Sequence, residues 1–308
     1  MLCKKMNTLS SNIFAIKRYA LHDGPNIRMT LFFKGCPLAC WWCHNPEGID
    51  FSSKILFLAE KCLGCGECVE RCPEKALCMT TEGVARTGDK CTSCATCVQT
   101  CPVLAHEATG KSMSVAEMVA EIKKELPFFD QSGGGITCSG GEPLCQPESL
   151  LALLQACGRL GIHRAVDTSG FAPTETLLQV AHHTELFLYD LKHMDSTIHE
   201  RYTGVGNDLI LSNLKTLGDN GHAIRIRIPL IGGINDDAKN IRATGAFVAG
   251  CKGVQGIDLL PYHPSATAKY RKLGRRYAGA ALLAPTKEQV ADTVEILKNY
   301  IVDVNIGG

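Results

Sequence analysis

The sequence lacks an excess of charge of either sign. Its 308 residues contain 32 Lys and Arg against 31 Asp and Glu, which gives a formal net charge of +1. Such a balance produces no overall field that would attract nucleic acid or an anionic membrane surface. We therefore expect neither as a partner.

The sequence also lacks a long apolar run. No stretch approaches the roughly 18 apolar residues that mark a candidate transmembrane helix. The apolar run that begins at Ile13 ends at Lys17 and Arg18, which is too short for the core of a signal peptide. We expect a cytoplasmic protein, whose length suits one barrel-sized domain or two smaller ones.

Cysteine, in contrast, is abundant, with 17 residues in the chain. Disulfides are rare in the cytosol, where clustered cysteines bind metal or carry out redox chemistry. Eleven cysteines form three short runs, which are Cys36, Cys40 and Cys43; Cys62, Cys65, Cys68 and Cys72; and Cys91, Cys94, Cys97 and Cys101. The other six lack ligand spacing, and we expect most of them to be buried or incidental: Cys3, Cys78, Cys138, Cys145, Cys157 and Cys251.

The second and third runs share the spacing C-x2-C-x2-C-x3-C-P and repeat after 29 residues. In bacterial ferredoxins, three cysteines of such a run bind one 4Fe–4S cluster and the fourth binds the neighbouring cluster. This pattern predicts two clusters, one held by Cys62, Cys65, Cys68 and Cys101 and the other by Cys91, Cys94, Cys97 and Cys72. Zinc is the alternative, but its four ligands often come as two separated pairs rather than duplicated runs of three plus one.

The first run has the spacing C-x3-C-x2-C and no fourth cysteine. Three thiolates would leave one iron of a cubane open, and open coordination distinguishes a reactive centre from a structural one. The alternative is that these cysteines are small buried hydrophobic residues beside Trp41 and Trp42. Their position directly after a predicted strand at 27–33 and Gly35 favours the ligand interpretation.

Helix and strand patterns alternate along residues 111–308. The predicted strands are 27–33, 136–138, 163–168, 185–191, 224–230 and 256–260, and the predicted helices are 115–126, 147–161, one from about 173, 208–217, 236–248 and one after Thr286. Capping boxes are predicted at Ser114 with Glu117 and at Thr286 with Gln289. Such alternation indicates parallel βαβ units, and six units are compatible with a partial (β/α)6 TIM-like barrel.

Three regions follow from these patterns. Residues 1–50 carry the first strand and cluster loop, 51–110 form a ferredoxin-like insert with two clusters, and 111–308 complete the partial barrel.

Polar residues follow the ends of predicted strands, where parallel α/β sheets place their sites. They are Ser139-Gly140-Gly141-Glu142-Pro143, Asp190 with Lys192, and His263. Taken alone, these residues could also form an ordinary loop, a salt bridge and a structural histidine.

The first cysteine run, Cys36-Pro-Leu-Ala-Cys40-Trp-Trp-Cys43, resembles the signature of the radical S-adenosylmethionine (radical SAM) enzymes. This resemblance implies that the three cysteines hold a 4Fe–4S cluster whose open iron chelates S-adenosylmethionine. It further implies that the cluster delivers one electron, which splits S-adenosylmethionine into methionine and a 5′-deoxyadenosyl radical. A partial barrel with its site at the carboxyl ends of the strands is implied as well.

Other motifs resemble those of the glycyl-radical-enzyme activating enzymes within that superfamily. They are the leader His22-Asp23-Gly24-Pro25-Asn26-Ile27-Arg28, Asp167-Thr168-Ser169-Gly170, Tyr189-Asp190-Leu191-Lys192, Tyr202-Thr203-Gly204-Val205, Arg227-Ile228-Pro229-Leu230-Ile231 and Leu260-Pro261-Tyr262-His263. The resemblance spans about residues 13–264. It implies S-adenosylmethionine contacts from Trp42, His44, Gly140, Gly141, Glu142, Asp190, Leu191, Lys192 and His263. A monovalent cation between Asp167 and Asp190 is also implied.

The resemblance implies an oxidoreductase that works anaerobically. A flavodoxin- or ferredoxin-type donor would reduce the two insert clusters, which relay electrons to the third. The radical would take hydrogen from a backbone glycine of a partner lyase, dehydratase or decarboxylase.

Two alternative functions remain. One is a radical SAM enzyme that acts on a small molecule or peptide. The other is a ferredoxin-like electron-transfer protein, which would need only residues 62–101.

One residue departs from the subfamily pattern: Asn26 stands where the leader has its second glycine. Asparagine tolerates a left-handed backbone better than most residues, so we expect the loop to keep its shape. Arg227 has three possible roles: it could bind the methionyl carboxylate, contact the partner's glycine loop, or form a structural salt bridge.

Overall fold

The computed structural model describes residues 8–81 and 83–307, so Cys3 lies outside the described residues. These residues form two compact units. The larger unit comprises 8–51 and 112–307, and the smaller unit comprises Ser52–Lys111.

Thirteen strands and eleven α-helices are assigned in the described part of the chain. The strands are β1 (Ser10–Ala20), β2 (Arg28–Phe33), β3 (Ile55–Phe57), β4 (Leu77–Thr80), β5 (Gly83–Arg86), β6 (His106–Ala108), β7 (Lys111–Ser114), β8 (Gly135–Gly140), β9 (His163–Thr168), β10 (Leu186–Asp190), β11 (Ile224–Leu230), β12 (Val254–Pro261) and β13 (Val304–Ile306). The helices are α1 (Glu67–Glu70), α2 (Thr96–Thr100), α3 (Val115–Lys123), α4 (Leu126–Ser132), α5 (Pro147–Arg159), α6 (Thr174–Ala181), α7 (Ser196–Thr203), α8 (Asp208–Asp219), α9 (Ala238–Ala249), α10 (Thr267–Lys272) and α11 (Lys287–Lys298).

The larger unit is built on one nine-stranded sheet. Its order is β13-β12-β11-β10-β9-β8-β2-β1-β7. The strands from β2 to β13 in this order pair in parallel, and β1 pairs antiparallel with β2. The prediction of a parallel α/β sheet is therefore confirmed. The first region holds two strands rather than the one predicted, because β1 precedes β2.

Side-chain alternation divides the sheet into an apolar face and a polar face. Along β11, Ile224, Ile226 and Ile228 are buried in the main hydrophobic core, which also contains the apolar sides of the helices. Arg225 and Arg227 alternate with them and so point to the opposite face. The opposite face of the sheet therefore carries charged side chains, and we call it the charged face.

Helix ends follow the predicted capping chemistry, with one difference. The capping boxes at Ser114 and Thr286 are present. The helix predicted to run until Pro127 ends earlier, at Lys123, and Pro127 lies in the first turn of the separate helix α4. Proline has no N–H to donate, which is tolerated at a helix start but not in a helix interior.

The smaller unit contains two short antiparallel strand pairs, β3 with β6 and β4 with β5. Its helices α1 and α2 have only four and five residues. No helix within residues 8–81 and 83–307 is long and apolar enough to cross a membrane.

Candidate active site

A cavity of about 370 Å³ lies at the carboxyl ends of the parallel strands. Gly140 ends β8, Thr168 ends β9 and Asp190 ends β10, and all three line the cavity. Ten residues singled out in the sequence line it together: Cys36, Cys40, Trp42, Cys43, His44, Gly140, Gly141, Asp190, Lys192 and His263. The structure thus gathers motifs that are up to 227 residues apart in the chain.

Helix α7 anchors the loop that carries the first cysteine run. The backbone N–H of Ala39 donates to the carbonyl oxygen of Thr203 at 2.7 Å, and that of Trp41 donates to Tyr202 at 3.0 Å. The rings of Trp41 and Tyr202 also meet edge to face, with centroids 4.9 Å apart. These contacts fix the backbone on both sides of Cys40.

Burial favours the protonated form of the three thiols at the cavity. Burial raises the pKa of Cys36, Cys43 and Cys40, the last to about 12, although Lys192 lowers the Cys40 value. Thiols must lose their protons to ligate a metal, so binding a metal centre here releases protons. Three sulfur donors around one cavity fit an iron–sulfur cluster.

The described residues hold no group of three or more Cys, His, Asp or Glu arranged around a single metal ion. A four-iron cluster is larger than one ion and holds its ligands farther apart. The three thiols line one cavity, as the ligands of such a larger group would.

The two glycines after β8 are required by the packing of the backbone. A Cβ at Gly140 would lie 2.5 Å from backbone atoms of Phe33, and one at Gly141 would lie 2.4 Å from the carbonyl oxygen of Gly35. Gly140 also has a φ of +116°, which favours glycine. A side chain at either position would displace the wall of the cavity.

Glu142 is fully buried, and its side chain lies outside the cavity lining. Its carboxylate accepts hydrogen bonds from the hydroxyl of Thr168 at 2.7 Å and from the backbone N–H and hydroxyl of Ser169 at 2.9 and 2.6 Å. Burial raises the pKa of Glu142, and these bonds oppose that effect. Glu142 thus joins the ends of β8 and β9. Leu191 is also buried outside the lining.

Two ion pairs lie along the charged face. Lys192 Nζ is 2.6 Å from Asp190 Oδ2, and although burial opposes protonation, Asp190 raises the pKa of Lys192. Arg227 Nη1 is 3.2 Å from Asp167 Oδ2, which also accepts the Ser139 hydroxyl at 2.7 Å. Burial raises the pKa of Asp167, while Arg227 lowers it. The salt bridges expected as alternatives are thus present, and Asp190, Lys192 and Asp167 also line the cavity.

His44 and His263 form one wall of the cavity. Their ring centroids are 4.7 Å apart, and His44 Nε2 lies 2.9 Å from the His263 carbonyl oxygen, so this nitrogen carries the proton and donates. Burial lowers the pKa of His44, which favours the neutral ring. With Trp42 and Tyr262, these side chains present ring surfaces to a planar ligand.

Sequence reasoning missed several lining residues. Ser139, Thr168 and Ser169 belong to quoted motifs but were given no binding role, and a signal existed in their position at strand ends. Asn45, Gly48, Ile49 and Leu38 also line the cavity. Leu38 lies within the first cysteine run and Asn45 shortly after it, whereas no local pattern marks Gly48 and Ile49.

Two smaller cavities within the insert match the predicted grouping of the insert cysteines. One of about 50 Å³ is lined by Cys72, Cys91, Cys94 and Cys97. The other, of about 20 Å³, is lined by Cys62, Cys65, Cys68 and Cys101. In both runs the final thiol accepts a backbone N–H four residues later, Cys72 from Ala76 at 3.3 Å and Cys101 from Ala105 at 3.2 Å.

A fourth cavity, of about 520 Å³, reaches the leader and the charged face near the amino ends of the strands. His22, Gly24 and Pro25 line it together with Arg225 and Arg227. The Arg227–Asp167 ion pair links this cavity to the first, since Arg227 lines one and Asp167 lines the other. Arg227 Nε is buried and has no hydrogen-bond partner among the described residues.

Sequence comparison places these features among known proteins. A profile of the Radical SAM superfamily matches residues 30–243. The trans-4-hydroxy-L-proline dehydratase activating enzyme of Clostridioides difficile is 41% identical over 306 residues, which cover 98% of this chain and 100% of that protein. The choline trimethylamine-lyase activating enzyme of Oleidesulfovibrio alaskensis is 42% identical over 271 residues, which cover 86% of this chain and 87% of that protein.

A solved structure agrees with this placement. The crystal structure of a domain of pyruvate-formate lyase-activating enzyme from Bacteroides vulgatus ATCC 8482 is 41% identical and superposes with a TM-score of 0.50. The match covers 57% of this chain and 100% of that chain. The chain therefore belongs to the radical SAM superfamily and, within it, to the activating enzymes of glycyl radical enzymes.

Proposed function

We propose that this chain binds its catalytic 4Fe–4S cluster through Cys36, Cys40 and Cys43 and activates a glycyl radical enzyme with it. The observation that supports these ligands is the common cavity. The three thiols and the strand-end motifs all line its volume of about 370 Å³. Cys36, Cys40 and Cys43 would hold the cluster, which would supply the electron that cleaves S-adenosylmethionine to methionine and a 5′-deoxyadenosyl radical. This radical takes a hydrogen atom from the partner's glycine, giving 5′-deoxyadenosine and a glycyl radical.

The chain's own residues bind and orient S-adenosylmethionine. Gly140 and Gly141 let the backbone approach the methionyl group, and the side chains of Asp190 and Lys192 offer it one charge of each sign. The neutral His44, with His263 and Trp42, forms the surface for the adenine. Glu142 and Leu191 support this site from behind the cavity wall. Asp167 and Asp190 offer oxygen ligands to a monovalent cation.

Two further 4Fe–4S clusters in the insert would pass electrons from a flavodoxin- or ferredoxin-type donor toward the catalytic cluster. The two groups of four cysteines that line separate insert cavities support this proposal. Backbone N–H groups also donate to Cys72 and Cys101. Hydrogen bonds to the sulfurs are one of the means by which a protein sets cluster potential.

The partner is a glycyl radical enzyme, and we propose that it is a dehydratase or a lyase. Relatives of similar identity are named with trans-4-hydroxy-L-proline dehydratase and choline trimethylamine-lyase. The reactive glycine would reach the site through the 520 Å³ cavity beside the leader, which Arg227 also lines. We propose that the protein works in the cytoplasm, where its cysteines would stay reduced.

Electron paramagnetic resonance tests this proposal. The iron-loaded chain, S-adenosylmethionine and a reductant are mixed without oxygen with trans-4-hydroxy-L-proline dehydratase or with choline trimethylamine-lyase. We expect a glycyl radical signal with one of them, and none when S-adenosylmethionine is omitted. Formation of 5′-deoxyadenosine without a radical on either enzyme would contradict the proposed partner class.

A further inference from the structure

An exposed apolar patch borders the mouth of the cavity beside the leader. We propose that it docks the segment of the partner that flanks the reactive glycine. The patch consists of Tyr19, Leu21, Pro25 and Phe128. The exposed fractions of Tyr19, Leu21 and Phe128 are 53%, 62% and 38%, and Pro25 is exposed as well. Pro25 also lines the cavity, so the patch continues into it.

Contacts between two elements hold the patch together. The rings of Tyr19, near the end of β1, and Phe128, in α4, meet edge to face with centroids 5.1 Å apart. Asn26 Nδ2 donates to the carbonyl oxygen of Gly133 at 3.2 Å, which ties the leader to the end of α4. These contacts link the end of β1 and the leader to α4, which are the segments that carry the four apolar side chains.

Tyr19 is held outward by an unfavourable backbone conformation. Its φ is +56°, and the pairing of β1 with β2 shifts register between Lys17 and Ala20, as in a β-bulge. Bulges redirect side chains, and left-handed backbone is costly for a residue other than glycine. Glycine would adopt this conformation without cost. A tyrosine that is exposed in such a costly conformation indicates a role in binding.

The occupant follows from the reaction, so this inference rests on the proposed function. The hydrogen donor is a backbone glycine, and a polypeptide that places a glycine inside the cavity must lay its flanking residues against the mouth. A chain with a net charge of only +1 offers little overall attraction, whereas exposed aromatic and aliphatic residues supply apolar area for docking. Arg227 lines the same cavity.

Variants of the patch separate docking from catalysis and from folding. Tyr19→Gly removes the ring and relieves the backbone, and Leu21→Ser removes the neighbouring aliphatic side chain. Leu283→Ser is the matched control, because Leu283 is 69% exposed and bridges Gly232 just after β11, which four strands of the sheet separate from β1. Each variant is measured for its melting temperature and for 5′-deoxyadenosine formation without a partner. It is also measured for glycyl radical formation on the partner enzyme that the native chain activates, which is trans-4-hydroxy-L-proline dehydratase or choline trimethylamine-lyase.

We expect Tyr19→Gly to melt at or above the native temperature and to form 5′-deoxyadenosine at the native rate. The rate of glycyl radical formation at limiting partner should fall about tenfold, as for removal of a central apolar anchor, and should recover at higher partner concentration. Leu283→Ser should behave as the native chain.

Native radical formation by Tyr19→Gly and Leu21→Ser at limiting partner would overturn the proposal. A shift from dimer to monomer in these variants, with unchanged radical formation, would also overturn it and assign the patch to a second copy of this chain. Failure of the native chain to form any radical would instead count against the proposed partner, which keeps the two conclusions distinguishable.

Discussion

Left-handed backbone positions recur at the same places in both insert runs. Each position in the first run has its counterpart 29 residues later: Gly64 and Ser93, Gly66 and Ala95, Lys75 and Leu104. The sequence repeat is therefore a structural repeat. The second run differs in having side chains at two positions where the first has glycine, so its backbone is the more strained of the two.

Exchanging one such pair tests this difference. Ala95→Gly should raise the free energy of unfolding by about 1 kcal/mol, because glycine adopts the left-handed conformation without steric cost. Gly66→Ala should lower it by a similar amount, since a Cβ at Gly66 meets no atom within 4 Å and so changes only the backbone. Thermal unfolding of the iron-loaded chain measures both. Shifts of the same sign in the two variants would contradict the account.

At single residues, the sequence predicted backbone conformation better than side-chain direction. Asn26 was expected to tolerate a left-handed backbone, and its φ is +64°. A cofactor contact is predicted for Glu142 and stays a prediction, while its carboxylate is buried against Thr168 and Ser169. The direction of Glu142 depends on donors from the following strand, which its own neighbours in sequence do not reveal.

Among the elements, regular strands were the most predictable. The limits of β9 and β11 match the predicted 163–168 and 224–230, because apolar residues alternate along β11 and turns bound both strands. Helix α7 was missed. Its buried residues are His199 and Thr203, so it has no apolar periodicity, although it anchors the cluster loop.

His199 makes α7 sensitive to acid. Its Nδ1 lies 2.7 Å from the carbonyl oxygen of Val205, and burial lowers its pKa. A depressed folded-state pKa gives stability that is present above the unfolded value of about 6.5 and is lost as the pH falls below it. Denaturant unfolding between pH 7 and pH 5 should therefore show a falling free energy of unfolding, by up to about 1.4 kcal/mol per pH unit from this group.

The control is His199→Gln, which keeps a neutral donor that does not titrate. Other histidines with lowered pKa values contribute in both proteins, His193 and His222 among them. The free energy of unfolding should therefore fall more steeply with decreasing pH in the native chain than in the variant. Parallel curves would show that His199 is not the titrating group.

At the scale of the whole molecule, motifs and spacing predicted the parallel sheet and the gathering of the cysteine loop with the strand-end motifs. They could not predict the cavity beside the leader or the ion pair between Arg227 and Asp167, which depend on how distant strands face one another. The near-neutral charge predicts neither nucleic acid nor an anionic membrane as a partner, and this stays a prediction. A small net charge is consistent with the proposed docking through the apolar patch.

The most direct test of the central claim measures 5′-deoxyadenosine from the anaerobic, chemically reduced chain. The native chain should form it, and Cys36→Ala/Cys40→Ala/Cys43→Ala should form none while its iron falls from about twelve to about eight per chain. Cys62→Ala/Cys65→Ala/Cys68→Ala should lose the same amount of iron yet keep the activity, because a small reductant reaches the catalytic cluster directly. Native 5′-deoxyadenosine formation by the first variant would contradict the account.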